Sequence, residues 1–171
     1  INNFSGVVDV ATTDNMVVFV KGDGSAWIME VNPEKITNGD INPTKISLQE
    51  PVSKAYMNYS DIFLKTPSQA VYHLRRNEWY ETKTYSDPIL VEGLQEKNIK
   101  SIVPGGNYNY FLIDNGSIFR SEKTSPTKAK QTPLKMKFKV IAAADYFVGV
   151  AENGRLYIWG EFNEHTYEQP T

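Results

Sequence analysis

The stretch KVIAAADYFVGVAENGRLY, residues 139–157, contains in a short span the pattern that decides the fold. A run of β-branched and small apolar residues is followed by a polar break at Ala144-Asp145 and by a second apolar run. Then comes Asn153-Gly154, a dipeptide typical of hairpin turns, and a third run with an aromatic residue, Tyr157, three positions after the glycine. The stretch therefore predicts three antiparallel strands joined by short connections.

The same order of features occurs four times along the chain. The four segments are Val7–Trp27, Ala55–Tyr72, Ile99–Phe119 and Lys139–Tyr157. Their turn positions, residues 24, 69, 116 and 154, are spaced by 45, 47 and 38 residues, which is close to the roughly 40 to 50 residues of one propeller blade. A β-sandwich would instead show turn signals about every 8–12 residues without the longer period. The sequence therefore predicts an all-β fold of β-propeller-type blades. We expect a single domain of four repeats, at about residues 1–42, 43–87, 88–131 and 132–171.

The turns themselves predict a particular hairpin geometry. Asp23-Gly24, Asn115-Gly116 and Asn153-Gly154 are expected to form two-residue type I′ loops, in which both residues have positive φ. The second repeat has Pro67-Ser68-Gln69 in place of such a pair, and we take Gln69 as the equivalent of the turn glycines.

The segments between the repeats are polar and contain proline, which predicts loops. These loops are expected at Asn32–Asn42, Thr82–Pro88 and Thr124–Pro133. Short apolar groups follow them and are candidates for the outer strand of each blade, namely Ile46, residues 89–91 and residues 134–136. No segment has a sustained 3.6-residue apolar period, so we expect little helix, with Gly93–Asn98 as the one plausible position for a short one.

The last repeat, from Ile141-Ala142-Ala143 to Trp159-Gly160, resembles the repeat of the regulator of chromosome condensation family, as does Pro104–Gly116. The resemblance covers nearly the whole chain and implies a propeller of more blades than the four repeats. The family usually has a histidine eight residues before the turn glycine. The residues at that position here are Met16, Tyr108, Tyr146 and, in the second repeat, Ser60 or Asp61. This departure argues against the nucleotide-exchange activity of the founding member and leaves the expected fold intact.

An open arc of four blades would leave two unpaired edges, which are an aggregation liability. The chain can therefore be part of a larger propeller, with further blades from the same parent chain. It can also pair with a second copy, or close as an unusually small ring. The sequence leaves these three arrangements open.

Composition excludes several classes of function. The chain has 171 residues, 40% of them hydrophobic, and a net charge of −2, so it can form a core but lacks the basic excess of a nucleic-acid binder. It has no cysteine and two histidines, His73 and His165, which stand in no metal-ligand spacing. No nucleotide-binding or hydrolase motif is present, nor an apolar run of the roughly 20 residues that a membrane helix needs. We therefore expect no enzyme, metal or cofactor, and no nucleic-acid partner or membrane span.

The loops before the second strand of each repeat are the candidate ligand-binding site. They carry Asp14, Asn15, Tyr59, Asn107, Tyr108, Asp145 and Tyr146. Equivalent loops of successive blades gather on one face of a propeller, and tyrosine beside a short polar residue suits a protein-binding surface. These residues predict a non-catalytic binding module that recognises a protein or a cell-surface ligand. The alternative is that the tyrosines pack between blades. Trp79-Tyr80, near Arg75-Arg76, is a second candidate patch.

Two other functions stay open, a secreted glycan-acting hydrolase of propeller fold and a nucleotide-exchange-like regulator. The loop aromatics also resemble those of secreted bacterial β-lactamase inhibitors in the same repeat family, which grip an enzyme. Because cysteine is absent and the chain begins at Ile1, we expect a bacterial protein that is extracellular or at the cell surface, with a cytoplasmic location as the alternative.

Overall fold

In the computed structural model of the chain, residues 4–39, 41–77, 84–143, 146–162 and 165–167 are described. These residues form β-strands and one short helix. The strands are β1 Val7–Thr12, β2 Met16–Lys21, β3 Ala26–Glu30, β4 Thr44–Lys45, β5 Lys54–Met57, β6 Asp61–Lys65, β7 Val71–Asn77, β8 Thr84–Tyr85, β9 Ile89–Leu90, β10 Ile99–Pro104, β11 Tyr108–Ile113, β12 Ile118–Glu122, β13 Ser125–Gln131, β14 Phe138–Ala143, β15 Tyr146–Ala151, β16 Leu156–Phe162 and β17 His165–Tyr167. The helix α1 is Pro33–Asn38.

The strands form four antiparallel sheets. Sheet 1 has the order β1-β2-β3-β4, sheet 3 the order β10-β11-β12-β13 and sheet 4 the order β14-β15-β16-β17. Sheet 2 has the order β5-β6-β7-β8, and β9 also pairs with β7. Within sheets 1, 3 and 4, strands that follow one another in sequence are therefore neighbours.

The four hairpins between the second and third strands share one geometry, and it is not the predicted type I′ loop. Gly24, Gln69, Gly116 and Gly154 have φ of 81°, 70°, 79° and 82°, whereas the residues before them do not have positive φ. In the first hairpin the N–H of Gly24 donates to the C=O of Lys21, and the N–H of Lys21 donates to the C=O of Ser25. These bonds define a three-residue loop, a type I turn followed by one left-handed residue.

The type I′ prediction was wrong because the Asp or Asn before each glycine acts through its side chain. Oδ1 of Asp23 accepts a bond from the N–H of Ser25 at 2.9 Å, and Asn115 and Asn153 accept equivalent bonds at 3.0 Å. This turn needs only one left-handed residue, so Gln69 can stand where the other repeats have glycine. The choice of Gln69 as the equivalent position was correct.

Helix α1 lies in a segment that was predicted to be a loop. Its signals are local, with Pro33 at the first helical position, Glu34 in the first turn and Gly39 at φ 76° directly after the last residue. Six residues are too few to show an apolar period, so the periodicity argument missed it. Gly93–Asn98, the one position where a short helix was plausible, is instead a turn, in which the N–H of Lys97 donates to the C=O of Leu94.

The outer strand of sheet 3 also differs from the prediction. Residues 125–131 form β13, whereas the segment from Thr124 to Pro133 was predicted to be a loop and residues 134–136 to be the strand. β13 pairs with β12 directly after a tight turn, and Pro126 is tolerated because the strand lies at the edge of the sheet. Its exposed Lys128 and Lys130 alternate with buried Ala129, and Glu92 pairs with the outer edge of the strand at Lys128.

The chain divides into two compact units, Ile1–Leu90 and Val91–Thr171, each with its own core. In the first unit, side chains of sheets 1 and 2 pack together, among them Met16, Val18, Val20, Ile28, Ile62, Leu64 and Leu74. In the second unit the core joins sheets 3 and 4 through Tyr110, Leu112, Ile118, Phe138, Ile141, Phe147 and Trp159. Phe147 lies between Tyr110 and Trp159, with ring centroids 4.3 and 3.6 Å away.

Candidate functional site

The predicted site residues of the first unit lie in the two loops that precede β2 and β6. Asp14 is exposed, and Asn15 is half-buried with its C=O accepting a bond from the N–H of Val31. Tyr59 is 61% exposed. Its loop is held by Asn58, whose Oδ1 accepts bonds from the N–H groups of Ser60 and Asp61 at 3.0 and 2.8 Å. The side chain of Tyr59 is thus displayed on a loop with a fixed backbone.

These two loops lie at the same edge of the first unit. The hydroxyl of Tyr85 is 3.4 Å from Sδ of Met16, the first residue of β2. Tyr85 pairs with Arg76, and the neighbouring Arg75 pairs with Asp61, the first residue of β6. The starts of β2 and β6, and the loops before them, are therefore brought to one edge.

A groove between sheets 1 and 2 opens beside this edge, and it was not among the features predicted from the sequence. Its volume is about 630 Å³. The apolar part of its lining includes Met16, Ile28, Ile46, Leu74 and Tyr85. These residues come from five strands or connections, up to 69 positions apart along the chain. Only the packing of one sheet on the next brings them together, so no local motif could have revealed the groove.

Two carboxylates and one ammonium group lie around the groove. Glu30 and Asp87 contribute to its lining, as does Lys45. Lys45 is also one of the charges that lower the pKa of Asp23, after the hydrogen bonds from Ser25 to that carboxylate. The groove thus combines two carboxylates and one ammonium group with an apolar lining.

The predicted site residues of the second unit are more strongly packed. Tyr108 is half-buried, and the guanidinium of Arg120 lies 4.3 Å from its ring centroid. Tyr146 is also half-buried, whereas Asn107 is exposed and accepts a bond from the N–H of Lys123 through its C=O. Asp145 lies outside the described residues, as do Trp79 and Tyr80 of the second candidate patch. Tyr108 packs against the core of sheets 3 and 4, whereas most of the surface of Tyr59 is exposed.

A buried ionisable pair lies under the loop of Tyr59. Oδ1 of Asp61 is 2.7 Å from Nε2 of His73, and the two residues are 0% and 3% exposed. Nε of Arg75 lies 3.9 Å from the same oxygen. His73 is therefore a buried residue whose ring nitrogen is held by a carboxylate on the neighbouring strand. No group of three or more potential metal ligands occurs in the part of the chain that the structure describes. Among the same residues no helix is long and apolar enough to cross a membrane.

Four consecutive antiparallel sheets, each with its glycine or glutamine turn, define a β-propeller repeat protein. No protein-family model matches the chain, and no curated protein matches its sequence significantly. Solved structures do match. Yeast RCC1 (Prp20), in its complex with Kap60, has a TM-score of 0.76 and 17% identity over 100% of this chain and 50% of its own.

Two further structures support the same architecture. Human WBSCR16 has a TM-score of 0.71 and 15% identity, covering 100% of this chain and 54% of its own. The β-propeller domain of Myceliophteria thermophila Cps50 (Swd1) has a TM-score of 0.60 and 12% identity over 91% of this chain and 51% of its own. The chain therefore has the RCC1-type β-propeller repeat fold that the last repeat resembles. It spans about half the length of each of these three structures.

Proposed function

We propose that the chain is a non-catalytic protein-binding module, and that the loop edge and groove of its first unit hold the partner. The observation that carries this proposal is the combination at one edge of an exposed tyrosine, Tyr59, and an apolar groove of about 630 Å³. A large aromatic side chain beside a concave apolar surface is the usual composition of a binding hot spot.

The chemistry of the groove suggests what the partner presents. The apolar lining of the groove suits an aliphatic or aromatic side chain of the partner. Glu30 and Asp87 suit a lysine or arginine next to that side chain. We infer that the ligand is a protein segment or loop with an apolar residue next to a basic one. Such a segment would be met outside the cell if the protein is extracellular or at the cell surface.

Propeller proteins of similar fold provide a precedent for protein binding. Yeast Prp20 was crystallised with Kap60 bound, and its binding to Gsp1p and histones was measured alongside a second crystal structure. A nucleotide-exchange role is less well supported here. The equivalence of Gln69 to the turn glycines identifies Asp61 as the second-repeat residue at the position of the family histidine. The other three repeats have Met16, Tyr108 and Tyr146 there, so histidine stands in none of them.

A selection from a random phage-displayed peptide library, with the folded protein as bait, tests the proposal. Enriched peptides should contain a large apolar residue beside Lys or Arg. In fluorescence anisotropy, Asp87→Lys should weaken their binding about tenfold, the effect of losing ~1.4 kcal/mol, and Tyr59→Ala should weaken it as well. Asp114→Lys, the same exchange at an exposed turn in the second unit, is the matched control and should leave binding unchanged.

The same assay decides the part played by the second unit. If Tyr108→Ala and Tyr146→Ala leave the affinity unchanged, those two residues do not belong to the binding surface. If no peptide family is enriched, or if neither Tyr59→Ala nor Asp87→Lys changes the affinity for the peptides, the proposed site is wrong.

Glycan hydrolysis is the second candidate function, because two carboxylates, Glu30 and Asp87, line the same groove. Glycosidases use a facing pair of carboxyl groups as acid and base or nucleophile. A screen against chromogenic glycosides tests it. Activity that is lost in Asp87→Asn and kept in Asp114→Asn would replace the binding proposal with an enzyme, and no turnover would exclude this alternative for the sugars screened.

A further inference from the structure

A cavity of about 310 Å³ lies in the second unit, where the pairing of β13 with β12 is interrupted. Arg120 pairs with Lys130 and Glu122 pairs with Ser125, so residue 121 of β12 faces residues 126–129 of β13. The extra residues form a bulge, in which part of β13 leaves its neighbour. The cavity is lined by residues of both strands around this bulge.

Two residues that precede β10 hold the bulge in place. The N–H of Glu92 donates to the C=O of Thr127 at 2.7 Å, and the N–H of Ala129 donates to the C=O of Glu92 at 3.0 Å. Gly93 follows with φ of 83°, and a Cβ added to it would lie 2.1 Å from the carbonyl oxygen of Ala129. The bulge is therefore a packed feature of the fold. Bulges redirect side chains and are frequent next to active sites.

The charges around the cavity are unbalanced. Arg120, Lys128 and Lys130 contribute three cations to its lining, against the one carboxylate of Glu122 among the described lining residues. None of the three cations forms an ion pair with a residue in the part of the chain that the structure describes. Glu92 faces Lys128 across their backbone bridge, but it does not line the cavity. The lining therefore carries two positive charges in excess.

Two of these cations are held close to each other. Arg120 and Lys130 stand directly opposite on neighbouring strands, and like charges in such a pair destabilise a sheet. The guanidinium of Arg120 lies 4.3 Å from the ring centroid of Tyr108, a cation–π contact that holds it in place. The arrangement is unfavourable for the protein alone and becomes favourable when an anion lies beside both cations.

We propose that this cavity binds the phosphate group of a small phosphate monoester. Such a group carries a charge of about −1.5 to −2 at pH 7, which matches the two positive charges in excess. The planar fork of Arg120 suits two oxygens of the phosphate, and the lysines act as point charges.

The size and the remaining lining of the cavity favour a small molecule. Its volume of about 310 Å³ is at the lower end of the roughly 300–1,000 Å³ that is usual for small-molecule sites. Ser125 and Gln131 also line it and offer a hydroxyl and an amide for hydrogen bonds to the rest of the ligand. The site belongs to the second unit and is separate from the groove proposed for a protein partner.

Isothermal titration calorimetry at constant ionic strength tests the proposal, because a general attraction of anions is screened by salt. The probes are glycerol phosphate, phosphoserine and adenosine monophosphate, each with its unphosphorylated counterpart, and inorganic phosphate. At least one monoester should bind, its counterpart should not, and inorganic phosphate should bind more weakly than that monoester. If no monoester binds, the proposal is wrong. If inorganic phosphate binds as tightly as every monoester, the site is one for the free anion instead.

Substitutions in the lining locate the binding. Lys130→Gln and Arg120→Gln should each weaken the binding of the monoester about tenfold or more, because each removes a hydrogen bond to a charged group. Lys139→Gln makes the same exchange at an exposed lysine of β14 outside the cavity and is the matched control, which should leave the affinity unchanged. Equal affinities of wild type, Lys130→Gln and Arg120→Gln would overturn the proposed site.

Thermal unfolding separates a binding role of Lys130 from a structural one. Without ligand, Lys130→Gln should unfold at a higher temperature than wild type, because it removes the repulsion between two opposed cations. The monoester should raise the unfolding temperature of wild type and of Lys139→Gln, and should raise that of Lys130→Gln much less. A Lys130→Gln variant that loses binding and also unfolds at a lower temperature would show that Lys130 stabilises the sheet, and this would contradict its assignment to the phosphate.

Discussion

Asp61 has a structural importance that its sequence neighbourhood does not reveal. It is fully buried, and its carboxylate lies 2.7 Å from Nε2 of buried His73. The two residues are 12 positions apart, on neighbouring strands β6 and β7. The sequence can predict that His73 lies on a strand. It cannot predict the pairing of His73 with Asp61, because that pairing depends on the register of β6 and β7, in which Asp61 faces Arg75. The bond connects the two strands directly below the loop of Tyr59.

Replacing Asp61 with alanine should therefore destabilise the fold strongly. The substitution removes one partner of a buried pair and leaves the other without its hydrogen bond, which typically costs about 3 kcal/mol or more. Urea denaturation followed by circular dichroism measures the change in the free energy of unfolding. Asp114→Ala, at an exposed position of a turn, should change it by less than ~0.5 kcal/mol. Equal effects of the two substitutions would show that the pair contributes nothing to stability.

The hairpin turn is the element that most clearly links this sequence to its fold. A turn residue with φ between 70° and 82° recurs in all four sheets. The position of the turn could be predicted in each repeat, even where Gln69 replaces glycine. The type of turn could not, because an Asn-Gly or Asp-Gly pair suits both a type I′ loop and a three-residue loop. The difference depends on which backbone N–H the Asp or Asn side chain binds.

Substitutions at this position should change stability in opposite directions. Gln69→Gly places a glycine at a left-handed position, which glycine adopts without the steric cost of a Cβ. We therefore expect the free energy of unfolding to rise by up to about 1 kcal/mol. Gly154→Ala introduces that conformational strain alone, because an added Cβ meets nothing within 4 Å. It should lower stability by about 1 kcal/mol. Chemical denaturation of both variants, followed by tryptophan fluorescence, tests the pair.

Gly24→Ala provides a graded comparison at the same turn position. Its new Cβ would lie 2.5 Å from Cβ of Pro51, so a steric clash is added to the backbone strain. We expect a larger loss of stability than for Gly154→Ala. If Gly24→Ala lowers the free energy of unfolding no more than Gly154→Ala does, then the segment at Pro51 can move away from the new Cβ and the turn is not tightly packed against it. If Gln69→Gly lowers the free energy of unfolding, then relief of the left-handed conformation is not the largest effect of this substitution.

Outside the turns, strands with a long apolar run in the sequence were predicted, whereas elements without such a run were not. The first three strands of each repeat carry apolar runs of several residues and were predicted. Helix α1, with only the six residues Pro33–Asn38, and β13, which contains a proline and two exposed lysines, were not. The local signals of α1 span too few residues to show an apolar period, whereas β13 is a strand because β12 offers it an edge. An edge strand is defined by its neighbour more than by its composition.

At the scale of the whole molecule, the four-repeat β-propeller architecture was correct because the repeat is a property of the entire chain. The loop residues of the predicted site were located by the same repeat, whereas the groove was not. Its lining includes Met16 and Tyr85, which meet only when sheet 1 packs on sheet 2. A repeat pattern states which positions are equivalent, but it does not state which side chains fill the space between two sheets.

The whole fold should also lose stability in strongly alkaline solution, because several tyrosines are packed as neutral phenols. Burial raises the pKa of Tyr110 to about 12, although the nearby Arg120 acts in the opposite direction. Burial likewise raises the pKa of Tyr56, and the pKa of Tyr72 is raised chiefly by its hydrogen bond to Glu50. Each phenol therefore holds its proton more tightly in the folded chain than in the unfolded one.

The direction of the effect follows from proton linkage. An unfolded tyrosine loses its proton near pH 10, whereas Tyr110 keeps it to about 12, so between these values the unfolded state is favoured by its ionisation. The contribution of Tyr110 is fully present below pH 10 and is lost as the pH rises towards 12, up to about 2 kcal/mol. Urea midpoints measured across this range should fall more steeply for wild type than for Tyr110→Phe, which removes the titrating group and keeps the ring. Because lysines titrate in the same range in both proteins, parallel curves would mean that the phenol of Tyr110 ionises as readily in the folded chain as in the unfolded one.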